Sequence, residues 1–176
     1  MRKNWAALAL TGMLCLTTFA GTQTVSAETA DSAKQVDIVF THDTHSHLNT
    51  FTTIVDEAEK EVGGFARINT LIQEQKAKNP DTLVIDGGDF SMGTLIQTVF
   101  ETQAAEIRML GYMGCDVTTL GNHEFDYRSK GLANMLNSAA ESGDDLPAMV
   151  VCNVDWDSME QTGLSDGQQQ IQSAFE

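Results

Sequence analysis

The chain has 176 residues, of which 25 are acidic and 10 basic, giving a formal charge of −15. That excess of carboxylates excludes non-specific binding to nucleic acid polymers or anionic membranes, which are themselves polyanionic. A hydrophobic fraction of 41% suits one packed domain, and only 3 Cys exclude a disulfide-dense miniature scaffold.

The first element in chain order is an address. Arg2 and Lys3 open the chain, an apolar run from Trp5 to Ala20 follows, and Thr24-Val25-Ser26-Ala27 ends it. A basic start, an apolar centre and small residues at Val25 and Ala27 predict a secretory signal peptide over residues 1–27. An unbroken apolar span of about 20 residues, which a membrane anchor needs, is missing. The expectation is a secreted protein, periplasmic, cell-surface or extracellular, with no transmembrane anchor after cleavage. Residues 28–176 then form one domain, with Cys115 and Cys152 either paired or left as thiols.

Strands and helices alternate through that domain. Val36 to Phe40 is a short β-rich run, and Thr41 to His47 is a polar loop. Phe65, Ile68, Leu71 and Ile72 recur at helical spacing until Asn79-Pro80 stops them. Thr82 to Ile85 is the second strand, ending in Asp86-Gly87-Gly88-Asp89. A helix is predicted from about Glu101 to Met113, with Ala104, Ile107 and Leu110 on one face. Asp116 to Leu120 is the third strand, Leu132 to Ala139 marks the next helix, and Ala148 to Cys152 is the fourth strand. The acidic residues over 56–61 and 141–145 read as solvated surface, and the Met residues at 109, 113 and 135 as core.

Strands joined by crossover helices predict an α/β fold with mainly parallel strands, whose C-terminal ends share one edge. Ligands bind at that edge in open α/β sheets. The loops that reach it carry Asp43 and His45, then Asp86 and Asp89, then Asn122, His123, Glu124 and Asp126, then Asn153. Carboxylate, imidazole and amide oxygen around one point suit a divalent ion of intermediate hardness, such as Zn²⁺ or Mn²⁺. Two such ions would activate a shared water and grip phosphate oxygens. The spacing Asp43-x-His45 puts both side chains on the same face of an extended segment. Asp86 reads as a brace between loops, Glu124 as a local acceptor, Arg67 as a surface residue and Asn153 as a turn residue; His47 is either a group supporting the site or an ordinary loop residue.

The strings Thr41-His42-Asp43-Thr44-His45-Ser46-His47-Leu48, Gly87-Gly88-Asp89 and Gly121-Asn122-His123-Glu124-Phe125-Asp126 resemble the calcineurin-like metallophosphatases, specifically their 5′-nucleotidase branch. The resemblance runs from about Val36 to Val154 and implies the N-terminal half of an αββα sandwich. It implies a phosphoesterase acting on nucleotides or other small phosphate esters through two divalent ions and a dinuclear metal-hydroxide mechanism. Asp43 and His45 would ligate one ion, Asp89 would bridge both, and Asn122 would ligate the second. His123 would donate to the transferring phosphate rather than bind metal, with Asp126 orienting it. His42 stands where the family usually has Asn. The resemblance also implies three later histidine ligands, and no histidine follows His123. The alternative expectation is therefore a truncated, non-catalytic secreted fragment with a partial metal site.

Overall fold

A computed structural model describes residues 35–158 and 165–175. The segment 1–27, expected to be a signal peptide, lies outside these residues. Among the described residues no helix is long and apolar enough to cross a membrane.

The main sheet has four strands: β1 (Ile38–Thr41), β4 (Leu83–Asp86), β5 (Val117–Thr118) and β6 (Ala148–Met149), side by side in that order. Every pairing is parallel, with Ile38 opposite Leu83, Ile85 opposite Val117 and Thr118 opposite Met149. Between β1 and β4 runs α1 (Phe65–Lys78). A 3₁₀ turn (Leu95–Val99), α2 (Phe100–Gln103) and α3 (Ala105–Tyr112) join β4 to β5. Helix α4 (Arg128–Glu141) joins β5 to β6. The fold is the α/β class that the alternation predicts.

A parallel sheet whose strands lie in chain order, joined by crossovers of one hand, gathers its helices on one face. Burial follows this geometry. Val84 is 1% exposed and packs with Phe65 and Ile72 of α1, Ile107 and Leu110 of α3, and Leu132 and Met135 of α4. The other face carries Ile38 (55% exposed), Phe40 (59%) and Leu83 (43%). Apolar side chains on an uncovered parallel sheet mark a surface that normally carries a second layer.

Helix α1 begins after Gly64, held at φ 85°, and ends where Asn79 turns extended before Pro80, as the residue preceding proline must. Lys76 and Lys78 in its last turn complement the negative end of the helix dipole. Leu71, expected on the core stripe, is 59% exposed. Six residues on from Phe65, it lies about 120° round the helix and so off the buried face.

Three other features depart from the sequence reading. The helix expected over 101–113 is broken by Ala104, whose φ of 46° and ψ of 42° are left-handed, although Ala104, Ile107 and Leu110 are buried as anticipated. The acidic stretch 56–61 is exposed as read, but it lies within an unanticipated antiparallel hairpin, β2 (Phe51–Val55) and β3 (Ala58–Val62), closed by Asp56 and Glu57 at φ 53° and 60°. Two central residues with positive φ make the mirror-image turn that matches strand twist. Finally, α5 (Asp166–Phe175) packs on α4 and sets Ile171, Ala174 and Phe175 against the core.

Candidate functional site

The loops after β1, β4 and β5 meet at the C-terminal edge of the sheet. The first two are laced by main-chain bonds: Asp43 N–H donates to Gly88 O (3.0 Å), His45 N–H to Asp89 O (3.1 Å) and Ser46 N–H to Phe90 O (2.8 Å). Gly88 is required where the second loop crosses the third. Its φ is 86°, and a Cβ there would lie 2.5 Å from the Gly121 nitrogen.

Two buried carboxylates tie the loops from beneath. Asp86 accepts from Thr41 Oγ1 (2.8 Å), Thr118 Oγ1 (2.8 Å) and Gly88 N–H (3.0 Å), joining β1, β4 and β5. Burial pushes its carboxyl above the usual range, and these hydrogen bonds oppose that rise. Glu124, fully buried, accepts four donors: Asp89 N–H and Gly121 N–H on Oε2, and Ser91 N–H and Oγ on Oε1. Both behave as the structural acceptors read from the sequence.

Above these braces stand the metal-capable groups. Ligand atoms of His45, Asp89 and His123 all lie within 4.8 Å of one another, and the two imidazoles meet edge to face with centroids 5.0 Å apart. His45 Nδ1 lies 3.2 Å from Ser91 O. A carbonyl can only accept, so the proton is on Nδ1 and the Nε2 lone pair is available, the arrangement that supports a metal-ligating histidine. Asp89 Oδ1 accepts from His123 N–H (2.9 Å). With its amide turned to suit both neighbours, Asn122 donates to Asp89 Oδ2 (3.0 Å) and accepts from His123 N–H (3.3 Å).

His123 Nδ1 lies 2.7 Å from Asp126 Oδ2. This hydrogen bond raises the imidazole pKa above its ordinary value; the nearby charges of Asp126, Asp89 and Glu124 reinforce the rise, and desolvation opposes it. The Nε2 atom remains free to present a proton.

Asp43 is placed differently from the other sequence-predicted ligands. Its carboxylate is 2.9 Å from His42 Nδ1 at an exposed position, and it is not one of the three clustered residues. Asp43 and His45 have φ of 52° and 45°, so the segment is not extended and the same-face argument from their spacing does not hold. Such left-handed conformations are uncommon in non-glycine residues and concentrate at functional loops. His47 packs edge-on against Phe51, and Arg67 pairs with Glu61. Cys115 is buried and Cys152 exposed, both as free thiols.

Sequence reasoning missed Glu106, which is fully buried and accepts from Ser46 Oγ at 2.7 Å. The sequence signal was available: an acid sits between Ala104 and Ile107 on the apolar stripe of a helix.

The family model for calcineurin-like phosphoesterases matches residues 36–167. The probable 5′-nucleotidase of Treponema pallidum is 34% identical over 107 residues, covering 58% of this chain and 18% of that protein. The 5′-nucleotidase of Mus musculus is 36% identical over 110 residues, covering 61% and 19%. The solved 5′-nucleotidase precursor from Thermus thermophilus superposes with a TM-score of 0.59 at 31% identity, over 68% of this chain and 22% of that one. The chain thus spans about a fifth of the length of the relatives it matches. Its parallel sheet, its loops converging at one edge and a family match over most of its length show that the chain belongs to the calcineurin-like phosphoesterases.

Proposed function

We propose that this chain is the N-terminal part of the catalytic domain of a secreted, metal-dependent phosphoesterase that hydrolyses nucleotide phosphate esters. The observation that carries this reading is the convergence of His45, Asp89 and His123 within 4.8 Å at the binding edge of the sheet. Imidazole nitrogen with carboxylate oxygen is the donor set of a borderline divalent ion, and the Nε2 lone pair of His45 is free to ligate, so the residues fit such an ion. Asp43, His45, Asp89 and Asn122 would hold two ions of the Zn²⁺ or Mn²⁺ kind. When bound, these ions supply positive charge for phosphate oxygens and lower the pKa of water toward neutrality. They also reverse the local sign of an acidic chain, which admits an anionic substrate.

The side chains divide the remaining work. Asp89 lies between the loops with both oxygens aimed by donors on Asn122 and His123. His123, its Nδ1–H fixed on Asp126, holds a proton on Nε2 for the phosphate or its leaving oxygen. The nucleotide as substrate class follows from likeness to the 5′-nucleotidases. The uncovered apolar face of the sheet supports the reading as half of an αββα sandwich. Residues 1–27 would direct export, leaving 28–176 as the phosphatase segment.

A second reading of His123 is favoured by one observation. A ring nitrogen of His123 lies within 4.8 Å of ligand atoms of both His45 and Asp89, which suits a third ligand as well as a proton donor.

The test is hydrolysis of AMP and p-nitrophenyl phosphate with Mn²⁺ or Zn²⁺, comparing wild type with Asp89→Asn and His123→Ala. Losses of about 10²–10⁴-fold for His123→Ala are expected if it transfers or donates a proton. Equal rates in all three proteins overturn the proposal.

A further inference from the structure

Ser46 is the most heavily anchored residue of the β1 loop. Its N–H donates to Phe90 O (2.8 Å), its carbonyl accepts from Thr94 Oγ1 (2.6 Å), and its hydroxyl donates to Glu106 Oε1 (2.7 Å). Ser46 and Glu106 are both fully buried. The anchoring coincides with strain: Asp43, His45 and Ser46 have φ of 52°, 45° and 54°. Residues held in this region are strained and persist only where their surroundings over-determine them.

The bonds from Phe90 and Thr94 hold Ser46 from the β4 loop. Among the described residues, Glu106 supplies the tether from the helical layer. It sits in the first turn of α3, two residues beyond the left-handed Ala104 that separates α3 from α2. Its second oxygen, Oε2, is buried without a protein partner. A buried carboxylate with an unused oxygen is a poor stabilising device, because an apolar pair of the same shape avoids its desolvation cost. Core packing alone therefore does not account for an acid at this position.

We infer that Glu106 is a positioning residue that holds, through the Ser46 hydroxyl, the strained 43–46 loop in the geometry presenting His45 beside Asp89 and His123. The inference rests on the metal-site reading above. Glu106 does not touch the metal or substrate; it acts two steps away, through Ser46 and the peptide joining Ser46 to His45.

The test is calorimetric titration of the full chain with Zn²⁺, combined with amide hydrogen exchange over residues 43–48. The proteins are wild type, Glu106→Gln, Glu106→Ala, Ser46→Ala, the Glu106→Ala/Ser46→Ala double variant and Asp89→Asn. Removing an outer group that orients a ligand weakens metal affinity by about 10–100-fold. We expect that loss for Glu106→Ala and for Ser46→Ala, with faster exchange in the loop. The double variant should be no worse than either single one, because both remove the same link. Glu106→Gln, which keeps an acceptor for the Ser46 hydroxyl, should bind Zn²⁺ close to wild type. If Glu106→Ala fails to fold, Ser46→Ala and Glu106→Gln carry the test unchanged. Melting temperatures lowered with Zn²⁺ affinity intact in Ser46→Ala would overturn the positioning role while Asp89→Asn loses the metal. Unchanged affinity in Asp89→Asn as well would instead bring down the metal-site reading.

Discussion

Glu124 offers the most quantitative test of how the site is held together. Its Oε1 accepts from Ser91 N–H (3.0 Å) and Ser91 Oγ (2.8 Å), and its Oε2 from Asp89 N–H (3.0 Å) and Gly121 N–H (2.7 Å). In Glu124→Gln one oxygen becomes NH₂. Turned toward Asp89 and Gly121, the amide nitrogen faces two N–H donors, and two charge-assisted bonds are lost. Turned toward Ser91, it loses the Ser91 N–H bond, while the hydroxyl rotates to accept. Hydrogen bonds to charged groups contribute about 1.5–3 kcal/mol each, so the cheaper orientation still costs about 1.5–3 kcal/mol. The more expensive one costs about 3–6 kcal/mol, a large part of the roughly 5–15 kcal/mol that holds a domain folded. Urea unfolding at pH 7 in EDTA should show the loss as a lower midpoint with an unchanged slope. A change below about 0.5 kcal/mol, the size of an ordinary surface substitution, would refute the reasoning.

Further outcomes follow from the same geometry. Because the Asp126 bond raises the His123 pKa, NMR titration should place His123 above about 6.5 in wild type and lower in Asp126→Asn. The corresponding stabilisation is fully present below the unfolded value near 6.5, is lost as pH rises through the folded pKa, and should shrink in Asp126→Asn melting curves. In Gly121→Ala the new Cβ collides with the Asp89 carboxylate, so thermal melts should show about 1–3 kcal/mol of destabilisation, and Zn²⁺ binding should weaken. Burial pushes the Cys115 thiol up to about 11, so a thiol reagent at pH 8 should label Cys152 quickly and Cys115 only on unfolding.

The strand–helix order was legible because each strand is a short apolar run that gives way to a polar or glycine-containing loop, and the helices carry clear apolar stripes. Topology then brings the strand ends together, whatever the loops do. The loops themselves were harder to read. Asp43 and His45 share a face only if the chain between them is extended, and their left-handed φ values remove that condition. The hairpin over 51–62 interrupts its apolar face of Phe51, Val55, Ala58 and Val62 with the Thr53–Lys60 pair, and its turn uses Asp56-Glu57 rather than an Asn-Gly pair, so neither period nor turn chemistry announced it. The break at Ala104 is invisible in sequence because the apolar spacing continues across it into α3. Glu106 could be seen in the sequence as an acid on an apolar stripe, but its partner could not, because Ser46 meets it only once the β1 loop is in place.

The central claim is that His45, Asp89 and their neighbours form a divalent-metal centre. Its most direct test is anomalous diffraction at the zinc edge from crystals of the full chain grown with Zn²⁺. The account predicts a peak about 2.0–2.2 Å from His45 Nε2 and an Asp89 oxygen. The same map shows whether His123 Nε2 ligates the ion or stands back from it. Ordered zinc elsewhere on the molecule, with no peak between His45 and Asp89, would contradict the account.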